Sequence, residues 1–481
     1  MFRESGNLWI ITFLVAVLII TGGCRQQGTE PRTEEGTAAV DYTYFRVGMP
    51  EEIYSLDPVE ITTYGEMLIA RTLYDTLFTL EADTERLVPL LVEHWEVSPD
   101  GQTYIFRLRR GIKFHSGREL TAEDVRFSWQ RLVARGAPGE ITNALMVVQG
   151  ARNYLEGRTG QISGLEITDP YTIQVTLERP YRQFLLALAH PQASIVDMEV
   201  VQLVGEKYGE PGTFQSPVVV LAGTGPFSIV EWIGGYQVTL QVFDQYHGEA
   251  AQIDRLEFSQ YPDPHTILVD FQAGHLDVVI TSGDLTQPEL PEKGVLPIPA
   301  TDLYYLGINP KLKPFDNPLA RQAVSLSIQR GVLAGENQGV PLESLLPRSL
   351  LQDASPRVAY TYDTQQANRL LQNEEGESIL QQPLTLTIPE GDKWRLLAED
   401  IQIQLEEAGI PIELQSLPRA DFKETVRNGQ TGFFLAHWQS GLPTPEFFLE
   451  NHFASWGLAN NGGVANPLVD DRLLFVQTAA D

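Results

Sequence analysis

The chain is poor in cysteine and in positive charge. It has one cysteine among 481 residues, and 34 lysines and arginines against 63 aspartates and glutamates, which gives a formal net charge of −29. A single cysteine excludes a disulfide within the chain. Nucleic acids attract cationic surfaces, so this charge argues strongly against nucleic-acid binding. We interpret it as an acidic, well-solvated surface, with a field that draws in cationic ligands as the alternative.

An apolar run long enough to span a membrane is also missing at the N-terminus. The run over residues 8–20 is shorter than the ~20 residues that a membrane-spanning helix needs. Arg3 precedes it, and Thr21-Gly22-Gly23-Cys24 follows it, which resembles a bacterial lipobox. We therefore predict a lipoprotein signal peptide over residues 1–23, lipidation of Cys24 and a polar, flexible tether over residues 24–40. An uncleaved membrane anchor is the alternative.

The sequence lacks the motifs of the common catalytic and metal sites. None of the eight histidines has a paired-ligand spacing such as HExxH, and no GxSxG elbow is present. The segment GTGP at residues 223–226 lacks the lysine of a phosphate-binding loop, and its proline removes one N–H group, so we interpret it as a structural turn. Adjacent acids such as Glu406 and Glu407 do not face each other on a helix. We expect no catalytic residue, no metal site and no cofactor.

The first half of the chain shows the period-2 pattern of half-buried strands. Tyr104, Phe106 and Leu108 alternate with polar positions over residues 103–109, and residues 171–177 and 238–242 repeat the pattern. Thr121 and Asp124 have the spacing of a capping box, which predicts a helix from there to about residue 133.

The second half alternates between strand and helix patterns. Asp263 as N-cap and Pro264 at the first helical position predict a helix that ends before Gly274. Further helices are predicted over residues 317–329, 392–408 and 420–427, and strands over residues 276–280, 384–388, 410–417 and 432–438. Successive β–α–β units of this kind predict a mostly parallel sheet.

One long segment carries a resemblance to a known family. Residues 55–132 contain SLDP, LYDTLF and LVPLLVEHWEVSPDGQTYIFRLRRGIKFHSGRELTAEDVRFSWQRL in this order. This order resembles the N-terminal signature of family 5 extracellular solute-binding proteins, which serve peptide- and nickel-type ABC importers. AGTGPF at residues 222–227, AGHLDVV at 273–279 and NPLARQAVSLSIQR at 317–330 also have family counterparts.

The resemblance implies an α/β, two-lobed periplasmic-binding-protein-like (type II) fold with an extra subdomain. By position, residues 41–85 and 213–304 resemble the main sheet of lobe I, residues 86–212 an inserted subdomain of that lobe, and residues 305–481 lobe II. Relatives continue beyond the segment that ends at Asp481 with a further helix and a return strand. On this resemblance we expect the C-terminal end of lobe II to be truncated.

The resemblance also indicates where a ligand would bind. Thr62, Thr63 and Tyr64 correspond to a loop that lines the cleft in peptide-binding relatives; the alternative is that they only begin a helix. Trp438, Gln439, Ser440 and Gly441 correspond to a second cleft motif, in which relatives have an aspartate that pairs with the ligand's α-ammonium group. Gly441 stands at the aspartate position here and leaves Trp438 as an aromatic platform, or as a purely structural residue.

These observations predict a lipid-anchored, monomeric solute-binding protein of the cell envelope that faces the periplasm or the cell exterior. It would capture an oligopeptide or a similar small solute and deliver it to ABC permease subunits and their ATPases. A non-peptide solute, such as a metallophore or a sugar, is an alternative that Gly441 favours. A sensor or chaperone-like lipoprotein on the same fold is another. A secreted hydrolase is a third, but no pairing of nucleophile and base supports it.

Overall fold

The structure is a computed structural model that describes most of the chain after residue 41. It describes residues 42–50, 52–81, 86–136, 140–215, 222–261, 264–280, 303–336, 339–342, 346, 350, 360–372, 376–438, 444–457 and 459–478. All of these lie in one compact unit, Tyr42–Asp481. The predicted signal peptide, Cys24, the tether, Asp263 and residues 439–441 lie outside the described residues. In the described part, no helix is both long enough and apolar enough to cross a bilayer.

The strands are, in chain order, β1 (Tyr44–Met49), β2 (Phe78–Leu80), β3 (Leu87–Pro89), β4 (Val92–Val97), β5 (Thr103–Leu108), β6 (Leu165–Asp169), β7 (Thr172–Thr176), β8 (Phe227–Ile233), β9 (Gln237–Val242), β10 (Arg255–Gln260), β11 (Val278–Val279), β12 (Leu303–Ile308), β13 (Leu384–Pro389), β14 (Ile412–Leu417) and β15 (Phe433–Trp438).

The α-helices are, in chain order, α1 (Tyr64–Leu73), α2 (Ala122–Arg135), α3 (Glu140–Met146), α4 (Ala151–Leu155), α5 (Phe184–Ala187), α6 (Met198–Val204), α7 (Pro264–Gln272), α8 (Pro318–Ser327), α9 (Arg330–Glu336), α10 (Thr364–Leu370), α11 (Asp392–Glu407), α12 (Arg419–Arg427), α13 (Pro445–Phe453) and α14 (Pro467–Thr478).

The first sheet joins distant parts of the chain. Its strand order is β11-β1-β10-β9-β8. β1 lies between β10 and β11 and is parallel to both, whereas β8, β9 and β10 form an antiparallel meander. The predicted strand over residues 276–280 is shorter than expected: Leu276 and Asp277 precede β11, and the Asp277 carboxylate accepts from the Arg46 backbone N–H at 2.8 Å.

A four-stranded antiparallel sheet, β4-β5-β7-β6, lies within the chain segment between β3 and β8. We call this sheet and the helices α2–α5 that pack on it the antiparallel unit. The alternation predicted for residues 103–109 is confirmed, because Tyr104, Phe106 and Leu108 are buried in its core. The predicted capping box of Thr121 and Asp124 is present, and α2 ends at Gly136 in the left-handed conformation.

The second-lobe sheet has the order β12-β15-β13-β14. Within the described residues β13 is parallel to β14 and to β15, as the β–α–β pattern predicts, and β12 is antiparallel to β15. Helices α8, α10 and α11 contribute to the core on this sheet. The predicted helices over residues 392–408 and 420–427 are α11 and α12.

A buried ion pair and two tyrosine hydroxyls hold the segment between β1 and α1 in place. Asp57, from the SLDP motif, is fully buried and accepts a hydrogen bond from Arg131 Nη1 of α2 at 2.6 Å. The Tyr208 hydroxyl lies 2.9 Å from that of Tyr74, which donates to the Leu56 carbonyl at 2.8 Å. These bonds fix the segment that leads into α1, so the position of α1 is set by residues more than 70 positions away.

The backbone of the GTGP segment lies in close contact with the backbone at the end of α1. The Gly225 N–H donates to the Leu73 carbonyl at 3.0 Å, and a side chain at Gly223 would place its Cβ only 1.9 Å from that carbonyl oxygen. The Thr224 hydroxyl donates to the buried carboxylate of Asp75 at 2.9 Å. The interpretation of this segment as a structural turn is confirmed.

Candidate ligand cleft

The loop before α1 is organised by one buried carboxylate. Glu66 is 1% exposed, and its Oε1 accepts from the backbone N–H groups of Tyr54 (2.9 Å) and Ser55 (3.2 Å). Its Oε2 accepts from the N–H groups of Thr62 (2.7 Å) and Thr63 (3.0 Å). Four backbone donors therefore converge on one side chain, which fixes the loop before α1.

The predicted ligand residues Thr62, Thr63 and Tyr64 form the start of α1. Thr63 is the N-cap, and its hydroxyl accepts from the Glu66 N–H at 3.2 Å in a capping box. The N–H groups of Thr62 and Thr63 are thus already bonded and are not available to a ligand. The Thr62 hydroxyl is also bonded, because it donates to Glu66 Oε2 at 3.3 Å. The ring of Tyr64, which is 38% exposed, is therefore the part of these three residues that remains accessible to a solute.

One face of α1 is turned to solvent and carries an arginine. Tyr64, Leu68 and Arg71 follow the i, i+4, i+7 spacing of a single helix face. Arg71 is exposed, yet the surrounding protein lowers its pKa through desolvation, which is typical of a charge in a concave surface. Among the described residues it has no carboxylate partner.

A residue that the sequence did not indicate reaches this loop from the second lobe. Arg419, the first residue of α12, donates from Nη2 to the Thr62 hydroxyl at 3.2 Å. Its guanidinium also lies 4.9 Å from the centroid of the Tyr54 ring. This contact, across 357 positions of sequence, brings α12 against the loop before α1.

The other predicted wall lies at the end of β15. The indole ring of Trp438 is 4.5 Å from the imidazole ring of His452 on α13, measured between centroids. Tyr305 of β12 and Phe448 of α13 also contact the imidazole, at 5.3 and 4.8 Å. We call these four residues the aromatic cluster. Within the described residues, Trp438 Nε1, Thr444 Oγ1 and His452 Nε2 are buried without a hydrogen-bond partner.

The aromatic cluster is uncharged. Burial alone lowers the pKa of His452 to about 4, and burial is the main reason why the pKa of Tyr305 is raised to about 12, so both are neutral at pH 7. Among the described residues, no carboxylate contributes to the shift of either pKa. The indole N–H, which has no partner in the described part of the chain, can donate to a carbonyl oxygen, and a neutral imidazole nitrogen can accept from an N–H. A peptide amide offers both groups.

The structure describes only part of the predicted site. Thr62, Thr63, Tyr64 and Trp438 are described, whereas Gln439, Ser440 and Gly441 lie outside the described residues. The long-range contacts of Arg419 and His452 left no signal in the sequence, because neither belongs to a local pattern. In the described part no group of three or more histidine, cysteine or acidic side chains is arranged to hold a metal ion.

Comparison with known families identifies the scaffold. The family model described as bacterial extracellular solute-binding proteins, family 5 Middle, matches residues 86–460, well over half of the chain. The chain belongs to this family. The resemblance in residues 55–132 is thereby confirmed at the level of the family.

Curated relatives of this solute-binding protein have names that refer to peptides and to heme. The dipeptide-binding protein of Escherichia coli (strain K12) is 28% identical over 411 residues, which covers 82% of this chain and 75% of the relative. Heme-binding protein A of Haemophilus influenzae is 24% identical over 473 residues, 93% and 84% of the two chains.

Solved structures establish the fold of this solute-binding protein. Haemophilus influenzae OppA, crystallised in complex with RPPGFSPFR, aligns with a TM-score of 0.74 at 22% identity and covers 92% of this chain and 88% of that one. The predicted α/β, two-lobed fold is therefore confirmed. The exact domain boundaries and the ligand residues stay predictions.

Proposed function

We propose that this chain is the solute-capturing component of an ABC importer and that its solute is an oligopeptide or a similar small molecule. The observation that carries the proposal is the neutral aromatic cluster. Its indole N–H and imidazole nitrogen have no hydrogen-bond partner among the described residues and complement a peptide amide. Family membership and the peptide-binding relatives support it. Ligand contact with both lobes would favour the closed state, which would then dock on permease subunits.

Isothermal titration calorimetry with a library of short peptides tests this function. We expect a subset of peptides to bind, and Trp438→Phe to weaken binding about tenfold, because it removes one indole hydrogen bond in a desolvated site. Trp95→Phe is the matched control, since Trp95 packs against Phe78 in the antiparallel unit, and it should leave the affinity unchanged. A folded protein that binds no peptide would refute the proposal.

A non-peptide solute is the second candidate. The relative named heme-binding protein A supports it, and so does Gly441, which supplies no carboxylate where the family pattern has an aspartate. Mass spectrometry of the ligand that co-purifies with the native protein decides between the two candidates. A peptide mass series favours the first, and a single non-peptide species favours the second.

The proposal places the protein on a membrane, facing the periplasm or the cell exterior, as a monomer without catalytic activity. Residues 1–23 would be removed as a signal peptide and Cys24 would carry the lipid, with residues 24–40 as the tether. Residues 41–85 and 213–304 would form lobe I, with residues 86–212 inserted into it, and residues 305–481 would form lobe II. Mass spectrometry of the mature N-terminal peptide tests the lipidation: an unmodified Cys24 would contradict it.

A further inference from the structure

Two tyrosine rings are exposed at the start of the first sheet. Tyr42 and Tyr44 are 39% and 47% exposed, and their rings contact each other edge to face, with 6.4 Å between centroids. The guanidinium of Arg255, on the neighbouring strand β10, lies 4.3 Å from the centroid of the Tyr42 ring. We call Tyr42, Tyr44 and Arg255 the tyrosine patch.

Helix α7 covers one face of β1 but does not extend over the patch. Side chains at alternate positions of a strand share a face, so Tyr44 lies on the same face as Gly48. A Cβ added at Gly48 would lie 3.2 Å from Ile267 of α7, so the helix packs closely at this point. Tyr44, four residues earlier, lies beyond this cover and is open to solvent.

Hydrogen bonds hold the backbone of the patch in place. The Asp254 carboxylate accepts from the Thr43 N–H at 2.9 Å and from the Thr43 hydroxyl at 2.7 Å. The Thr43 carbonyl accepts from the N–H groups of Asp254 and Arg255, at 3.1 and 3.0 Å. Because Tyr42 and Tyr44 flank Thr43, binding of a partner orders little further backbone.

The chemistry of the patch suits the headgroup region of a lipid bilayer. Tyrosine rings are amphipathic and are enriched at this level of membranes, and guanidinium groups pair with phosphates. Within the described residues, Arg255 Nε has no hydrogen-bond partner. The nearby acids are engaged elsewhere, since Asp254 binds Thr43 and Asp277 binds Arg46 at 3.1 Å. The patch is therefore a weakly charged surface in a strongly acidic chain.

The patch is also the described part of the chain that lies nearest in sequence to the proposed lipid. Residues 25–41 separate Cys24 from Tyr42. A flexible chain of this length has an end-to-end distance of roughly 20–25 Å. A short tether of this kind gives a local concentration on the order of millimolar, so a contact too weak to hold a free protein is populated in an anchored one.

We propose that the tyrosine patch rests on the bilayer that carries the lipid anchor, with the two rings at the level of the headgroups and Arg255 on a lipid phosphate. β1 is six residues long, so roughly 20 Å separate its two ends. The loop before α1 follows the far end of β1, and the contact therefore holds this loop away from the membrane. The inference rests on the proposed lipidation of Cys24 and is independent of the identity of the solute.

Fluorescence quenching on the lipidated, full-length protein tests the contact. The lipid occupies the sulfur of Cys24, so a fluorophore reacts only with a newly introduced cysteine. Gln241→Cys places it beside the patch, because Gln241 is exposed and pairs with Arg255 across the sheet. Ile403→Cys places it on α11, where the side chain is 57% exposed. In phosphatidylcholine vesicles with a quencher on the headgroup, we expect quenching at Gln241→Cys and none at Ile403→Cys.

Substitutions in the patch show whether the tyrosine rings make the contact. The double variant Tyr42→Ser, Tyr44→Ser should lower the quenching at Gln241→Cys at least twofold. The double variant Tyr42→Trp, Tyr44→Trp should retain it, because tryptophan shares the interfacial preference of tyrosine. Tyr236→Ser is the matched control. It removes a tyrosine that is 60% exposed at the opposite end of β10, beside Gln260, and should leave the quenching unchanged.

The outcomes separate this inference from the proposed function. The double serine variant should bind peptides as the reference protein does, and a quenched protein that binds no peptide would contradict only the proposed solute. An unmodified Cys24, equal quenching at both labels, or quenching that the serine variants do not change would overturn the inference. Dimers that form through the patch without vesicles, detected by analytical ultracentrifugation, would overturn it as well.

Discussion

Asp57 is a buried charge whose only described cationic partner is the guanidinium of Arg131. Arg131→Ala leaves that carboxylate without compensation, so we expect the free energy of unfolding to fall by about 3–5 kcal/mol. Urea unfolding followed by circular dichroism measures it. Arg135→Ala, one turn later on α2, is the control, because the Arg135–Glu60 pair is 44% and 43% exposed and should cost about 0–1 kcal/mol. Equal losses in both variants would contradict this assignment.

The sequence predicts contacts between residues that are close along the chain, but not contacts between distant residues. The capping pair of Thr121 and Asp124 was predictable because its members are three residues apart. Arg118 also binds Asp124, and it binds Asp197 at 2.8 Å, a contact that no spacing rule anticipates. The same holds for Arg419 and Thr62. Cleft residues are brought together by the fold from distant positions, and so the sequence indicated only the two stretches with a family counterpart.

The segment from Tyr54 to α1 depends on Glu66 as a whole. In Glu66→Gln an amide NH₂ replaces one carboxylate oxygen and faces backbone N–H donors, so about two of the four backbone bonds are lost. We expect faster hydrogen exchange at the amides of Tyr54, Ser55, Thr62 and Thr63, measured by mass spectrometry. Glu123→Gln, on the exposed first turn of α2, should leave exchange unchanged. Unaltered protection in Glu66→Gln would show that the loop is held by other contacts.

The bounds of helices and strands with a strong hydrophobic period were predicted closely. The bounds of short elements were not. Residues 392–408 were expected as a helix and form α11 (Asp392–Glu407), because a long amphipathic pattern leaves little ambiguity. β11 has only two residues, although an apolar stretch of five was predicted, since a strand's ends are set by its neighbour β1 rather than by its own sequence. The contacts of α13 could not be predicted, because Phe447 is buried in the core of the antiparallel unit while His452 contacts Trp438 at the end of β15.

The stability of the whole molecule should depend on three buried histidines. Burial lowers the pKa of His115 and His452 to about 4 and that of His190 to about 3. An unfolded histidine titrates near 6.5, so between pH 6.5 and about 4 the unfolded chain binds protons that the folded protein does not. The stabilisation is fully present above pH 6.5 and is lost as the pH falls, by at most about 1.4 kcal/mol per pH unit for each histidine.

Urea unfolding at pH 7, 6 and 5 measures this dependence. His190→Asn should reduce the dependence of the unfolding free energy on pH by about the contribution of one histidine. The control Trp95→Phe, which removes no ionisable group, should leave that dependence unchanged. The carboxylates titrate alike in both variants, so the difference isolates the buried ring. Equal slopes in the two variants would contradict the prediction.

The topology of the first sheet determines the order in which the protein can fold. β1 is its earliest strand along the chain, but it lies between β10 and β11, whose residues begin at Arg255 and Val278. More than 200 residues must therefore leave the ribosome or the export channel before β1 has any partner. Pairing over such a separation is slow, and the strand's two edges stay open in the meantime. A chain released early would expose those edges to aggregation. The yield of folded protein should therefore depend on chaperones that bind nascent chains.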